Sequence, residues 1–190
     1  MSSVYDKPPE LYAGLRLHQN ENTGGCSPRV LDALARLRAD EIGFYPPYAA
    51  ATKACAAYLG VDPADIALVN GLDEGLMGLA VAYLRPHVGG PVPEAIVPQP
   101  AFEIFGVDTD VAGGTVVSVM PRPGFAFALD EVLSAITPRT RVVFLTNPNN
   151  PTGVSMPLDA IRQIARQVPA GAVVFVDEAD QAAGKRDGGD

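Results

Sequence analysis

Two apolar runs, Arg141 to Thr146 (RVVFLT) and Ala172 to Val176, bracket an Asn/Pro-rich loop and a helix-length segment. The first run is apolar and β-branched, so it reads as a strand buried on both faces, as in a parallel sheet covered by helices. Parallel neighbours need a crossover of about a dozen residues or more. The intervening chain supplies one. Asn147-Pro148-Asn149-Asn150-Pro151-Thr152-Gly153 forms the loop, and Pro157 to Val168 is amphipathic through Ile161, Ile164 and Ala165. This unit brings Asn150 and Asp177 to neighbouring strand ends, the edge at which open α/β sheets bind ligands.

The rest of the chain repeats the alternation. Ser27-Pro28 is a helix start, Ser as N-cap and Pro at the first helical position, with Val30, Leu31, Leu34 and Leu37 on one face. A second helix over 49–59 stops at Gly60. Ile66 to Val69 reads as a short strand, turned by Asn70-Gly71 into a helix through Leu76, Leu79, Ala80 and Tyr83 that ends before Pro86. Ala95 to Val97 is a strand, 102–112 a helix, Thr115 to Val119 a strand and Leu129 to Ile136 a short helix. Strands alternating with helices predict an α/β fold with a mostly parallel sheet and helices on both faces.

Composition narrows the function classes. Hydrophobic residues make up 47% and charged residues 19% of the 190 residues, enough apolar surface for one domain with a core. A net charge of −8 leaves no basic surface for nucleic acid. No apolar run approaches the ~18–20 residues of a membrane span. Cys26 and Cys55 are isolated, which fits a reducing, cytoplasmic setting. His18 and His87 have no ligand spacing, so no metal site is expected. Val174 to Asp180 also looks like a Walker B strand, but no G-x-x-x-x-G-K-[ST] precedes it. The tail, residues 181–190, holds no large apolar residue and is expected to be disordered.

Each candidate site residue has a plain structural reading. Asn150 can make a turn with its own backbone, and Asp177 can cap the end of a buried strand. Gly71-Leu72-Asp73-Glu74 can be an ordinary strand-to-helix turn whose acids suit the helix dipole. It can also be a cup of backbone N–H groups for a phosphate. Phe102 and Tyr45 can be core aromatics.

The string N-P-N-N-P-T-G directly after a buried strand, with Asp177-Glu178-Ala179 ending the next, resembles the fold-type-I pyridoxal phosphate (PLP) aminotransferases. The order of the pieces from Leu17 to Ala179 resembles their histidinol-phosphate aminotransferase branch, over the first half or so of a family subunit. The resemblance implies an N-terminal arm (1–26), a partial, incomplete PLP-binding large domain (27–180) and a tail (181–190). It implies that Asn150 donates to the cofactor's phenolic oxygen and Asp177 faces its pyridine nitrogen. Phe102 would stack on the ring, and Gly71, Leu72 and Asp73 would hold the phosphate. Tyr45 would reach the phosphate of the opposite subunit, which implies a homodimer. Asn20-Glu21 matches the arm beside the substrate. The implied reaction moves an amino group between an amino acid or an amino-alcohol phosphate and a 2-oxo acid. A non-catalytic binding module with a PLP-like pocket, or a PLP-dependent lyase or decarboxylase of the same fold, are the alternatives.

Two departures stand out. The family has Tyr three residues after the Asp, where this chain has Asp180. The family's Schiff-base lysine lies in an S-K-x-x-G segment well beyond D-E-A, and Lys7, Lys53 and Lys185 are the only lysines here. Neither Lys7 nor Lys53 follows the D-E-A strand, and Lys185 is too near it, so no catalytic residue is assigned and a truncated, inactive fragment is expected. The family also inserts two strands between Ile66–Val69 and Arg141–Thr146. Without them both would present open edges, and the isolated chain is expected to be unstable or aggregation-prone.

Overall fold

The computed structural model describes residues 20–179. Expectations for Lys7, Leu17, His18, Asp180, Lys185 and the 181–190 tail lie outside the described residues. The chain divides into two units whose boundary falls between Val69 and Asn70.

In the first unit, α1 (Pro28–Leu34) starts as expected: the Ser27 hydroxyl accepts from the Arg29 N–H at 3.3 Å, and Pro28 occupies the first turn. A short α2 (Ala39–Gly43), not foreseen, follows. Then α3 (Tyr48–Leu59) closes at Gly60, which sits at φ 71° and donates to the Ala56 carbonyl at 2.8 Å. Ala56 is the only buried residue of these three helices. The apolar stripe Val30, Leu31, Leu34 and Leu37 is exposed. Ile66 to Val69, expected as a strand, forms none. A strand persists only with a hydrogen-bonded neighbour, and among the described residues no strand pairs with this segment.

The second unit is built on a parallel sheet. Its elements are α4 (Leu72–Leu84), β1 (Glu94–Pro98), α5 (Ile104–Ala112), β2 (Thr115–Val119), α6 (Leu129–Ala135), β3 (Thr140–Thr146), α7 (Leu158–Gln167) and β4 (Val173–Asp177). The strand order is β2-β1-β3-β4, all pairs parallel. Alternate residues of one strand feed two cores, as a period of two requires. Ala95, Val97, Val142 and Phe144 pack against Leu76, Ala80 and Leu84 of α4 and Phe105 of α5. Ile96, Val143 and Leu145 pack against Val132 of α6 and Ile164 of α7. Phe105 stacks on Phe144 with centroids 4.7 Å apart, and Phe175 meets both edge-on. Phe105 and Phe144 are fully buried, each contributing about 1.5–3 kcal/mol, while Phe175 is half-buried.

β3 is not an edge. The expectation that Arg141–Thr146 would lack a neighbour fails because β4 pairs with it from Val142↔Val173 to Thr146↔Asp177. Among the described residues the outer strands of the sheet are β2 and β4. At the strands' N-terminal end, buried Glu94 pairs with Arg139 and accepts from the Thr137 hydroxyl. No helix among the described residues is long and apolar enough to cross a membrane.

Candidate functional site

The C-terminal ends of β1, β3 and β4 carry three of the expected site residues. The register Thr146↔Asp177 puts the loop after β3 beside the end of β4. The Asn147 N–H seals that junction by donating to the Asp177 carbonyl at 2.8 Å. Asp177 is 7% exposed, and its Oδ1 accepts from the Ala179 N–H at 2.9 Å. A buried carboxylate held at a strand end can stabilise a cation placed against it, because little water screens the pair.

The loop is fixed by its other two asparagines. Asn147, 8% exposed, accepts from the Met156 N–H through Oδ1 at 2.9 Å. The Asn149 Nδ2 donates to the Pro100 carbonyl at 3.0 Å and to the Thr152 hydroxyl at 2.9 Å. The Asn149 N–H donates to the Val154 carbonyl, and the Gly153 N–H returns to the Asn149 carbonyl at 2.7 Å. Gly153 takes φ 70°, where a Cβ would be strained. The half-buried Asn150 side chain has no hydrogen bond to any described residue, so its amide remains available. The sequence reading singled out Asn150 and missed Asn147 and Asn149. The only signal was that three asparagines stand in one seven-residue loop.

Phe102 follows the end of β1. It is half-buried, packs on the α4/α5 core and meets Phe105 edge-on at 5.9 Å. Gly71 opens α4 at φ 78° and ψ 167°, a region adopted at low cost only by glycine. No side chain caps the helix there, while the Asn70 N–H turns to the Glu74 carboxylate. The first-turn N–H groups of a helix have no intrahelical acceptor, so Leu72 and Asp73 present donors at the positive end of the dipole. Asp73 and Glu74 place negative charge in the same turn.

Tyr45 belongs to the other unit and is fully exposed. It is not a core aromatic. Asn20, Glu21 and Lys53 are exposed in that unit as well. Among the described residues no cluster of His, Cys, Asp or Glu could hold a metal.

One buried acid was not foreseen. Asp108, on α5, is 4% exposed, and its Oδ2 has no hydrogen-bond partner among the described residues. Burial pushes its carboxyl above the ordinary aspartate range, and the Asp73 charge pushes it further.

Comparison with known proteins identifies the family and the fold. The model of the family "Aminotransferase class I and II" matches residues 13–185. A histidinol-phosphate aminotransferase of Moorella thermoacetica is 38% identical over 167 residues, 87% of this chain and 42% of that protein. The Lactiplantibacillus plantarum enzyme of the same name is 34% identical over 87% of this chain and 46% of its own length. The crystal structure of the Sinorhizobium meliloti histidinol-phosphate aminotransferase in complex with pyridoxal-5'-phosphate superposes with a TM-score of 0.77 at 25% identity. It covers 89% of this chain and 45% of that one. The Mycobacterium tuberculosis N-succinyldiaminopimelate aminotransferase gives 0.69 at 29% identity over 80% of this chain and 42% of that one. The chain spans about half the length of the relatives it matches. With its four-stranded parallel sheet and helices on both faces forming part of that fold, the chain belongs to the class I and II aminotransferase family.

Proposed function

We propose that this chain is the cofactor-holding part of a PLP-dependent aminotransferase of the histidinol-phosphate aminotransferase kind. The carrying observation is the juxtaposition of the buried Asp177 carboxylate with a pinned loop whose Asn150 amide has no partner among the described residues. The residues present fit PLP. An uncapped glycine-opened helix suits a phosphate, an amide donor suits a phenolate oxygen, a carboxylate suits a pyridinium, and Phe102 suits a ring face.

When bound, PLP supplies the electron sink that lets an amino acid's α-proton leave. Asp177 favours the protonated ring nitrogen by opposite charge, each unit of raised pKa amounting to about 1.4 kcal/mol. Asn150 donates to the phenolic oxygen, and Phe102 shields one face from water. The backbone from Gly71 to Asp73 orients the phosphate. Tyr45, fully exposed, is free to reach the phosphate site of a second subunit in a homodimer. An amino-alcohol phosphate or amino acid is the donor and a 2-oxo acid the acceptor. The free thiols of Cys26 and Cys55 suit work in the cytoplasm.

The residues assigned here hold and polarise; none of them moves the α-proton. That step needs a lysine, and the only described lysine, Lys53, is an exposed α3 residue in the other unit. The 190-residue chain alone is therefore expected to transfer no amino group. The test incubates it with PLP, histidinol phosphate and 2-oxoglutarate, then with borohydride and peptide mapping. Neither turnover nor a cofactor-labelled lysine should appear; either one overturns the assignment.

A further inference from the structure

We propose that Asn149 is a positioning residue that ties the loop carrying Asn150 to the loop carrying Phe102, fixing the amide donor relative to the ring-covering aromatic. This rests on the reading that Asn150 and Phe102 serve one cofactor ring. The two loops come from the ends of β3 and β1 and stand far apart in sequence: Asn149 and Pro100 are separated by 49 positions. Among the described residues, the bond from the Asn149 Nδ2 to the Pro100 carbonyl is the hydrogen bond joining them, at 3.0 Å. The second Nδ2 proton goes to the Thr152 hydroxyl of its own loop at 2.9 Å. Both donors of one amide are thus spent, one across the gap and one to brace the side chain that spans it.

Close packing does not replace this strap. A void of about 30 Å³, room for a water or two, is lined by both loops together with the segment from Val119 to Ala128. Its lining includes Gln99, Ala101, Phe105, Thr146, Asn149 and Met156. Without Asn149 nothing polar holds the Pro100 carbonyl against the loop after β3, and Phe102 lies two residues beyond Pro100. The neighbouring asparagines therefore divide the work. Asn149 spends its amide on the protein and Asn150 keeps its own for the ligand.

The test measures amide hydrogen exchange of the ligand-free chain and PLP binding by visible absorbance and induced circular dichroism. Variants are Asn149→Leu, which keeps volume but removes both donors, Asn149→Asp, Thr152→Val and Asn150→Leu. Asn149→Leu and Asn149→Asp should speed exchange at Phe105, Gly106 and Val107, whose N–H groups bond back to Phe102 and Glu103. The expected change is roughly tenfold, the scale of one lost hydrogen bond. They should also weaken PLP about tenfold and flatten its induced dichroism. Thr152→Val removes the brace but keeps the donor to Pro100, so it should speed exchange at 105–107 less than the Asn149 variants do, whereas Asn150→Leu should leave it unchanged although it weakens PLP. Unchanged exchange at 105–107 in both Asn149 variants overturns the proposal. If the parent chain binds no PLP while the exchange pattern holds, the strap stands and the cofactor reading falls.

Discussion

Replacing Asp108 by Asn should stabilise the protein, and by an amount that depends on pH. Asp108 sits on the buried face of α5, which packs against α4, β1 and β2. The nearby charge from α4 is Asp73, which raises its pKa further. Glu74, also on α4, is engaged by the Asn70 N–H. Among the other acids, Glu94 of β1 is paired with Arg139, and Glu103 and Asp110, next to and on α5, are exposed. β2 has no titratable side chain. No cation among the described residues offsets the Asp108 charge, and burial is the larger cause of its shift. Leaving a buried polar group unsatisfied costs about 1–3 kcal/mol, more for a charged one. Asn keeps the shape, removes the charge and leaves a neutral amide to bury, so about 1–2 kcal/mol of that cost should be recovered near neutral pH. In a chain of this size each kcal/mol moves Tm by about 2–4 °C.

The sign follows from linkage. The folded pKa of Asp108 lies above its unfolded value of about 3.9. The protonated carboxyl therefore favours folding fully below about pH 4, and that contribution is lost as pH rises through the folded pKa. Asn does not titrate. The advantage of Asp108→Asn should be absent near pH 4, grow as pH rises, and level off above the folded pKa. The chain has no Trp, so unfolding in urea is followed by far-ultraviolet circular dichroism at low protein concentration, from pH 4 to 8. Asp73→Asn should recover a smaller part of the same stability, since it removes only the lesser cause. A pH-independent difference between Asp108→Asn and the parent refutes the argument, as does a variant less stable at pH 8.

Other expectations follow from the same physics. Phe105→Ala removes a ring stacked on Phe144 at 1% exposure and should cost about 3–5 kcal/mol in urea unfolding. Gly71→Ala forces a Cβ into a backbone region tolerated by glycine and should cost about 1–3 kcal/mol; isothermal calorimetry should show weaker PLP binding as well. Arg139→Met strips the partner from buried Glu94 and should destabilise by about 1–3 kcal/mol, read from the urea midpoint. β4, an outer strand among the described residues, should drive association of the isolated chain, so light scattering should rise steeply with concentration. A monomeric solution with one cooperative thermal transition would sink that last expectation.

The elements from Leu72 onward were legible because each carries a clean period. β3 alternates between two cores through Val142, Val143, Phe144 and Leu145, and α7 turns Ala160 and Ile164 inward. Ile66 to Val69 has the same apolar character as β1 but forms no strand, because pairing is a property of the neighbour and not of the run. The outer strand is β4 rather than β3 for a related reason. Which strand stands next to which is decided by crossover geometry, and composition does not reveal it. The stripe expected on the first helix is cut short, because α1 ends at Leu34 before Leu37, and its apolar residues are exposed: a stripe states that a surface is apolar without naming what covers it.

The site shows the same division more sharply. Asp177 and Asn150 could be picked out because a strand end fixes where a residue sits, and the Thr146↔Asp177 register puts both at one edge. Asn147 and Asn149 could not, because an amide becomes structural only when a backbone group from elsewhere arrives within hydrogen-bond distance. For Asn149 that group is the carbonyl of Pro100, on a loop that follows another strand. For Asn147 it is the Met156 N–H, nine positions downstream. Asp108 was invisible for the opposite reason: it looks like any helix-surface acid until α4 and the sheet close over it. What distinguishes Asn150 in a loop of three asparagines is therefore what the other two have already spent. On the proposed function, a residue left with an unused donor, on a loop pinned at both ends, is the one offered to the cofactor. That inference needs the hydrogen-bond accounting of the whole loop rather than the identity of any one residue.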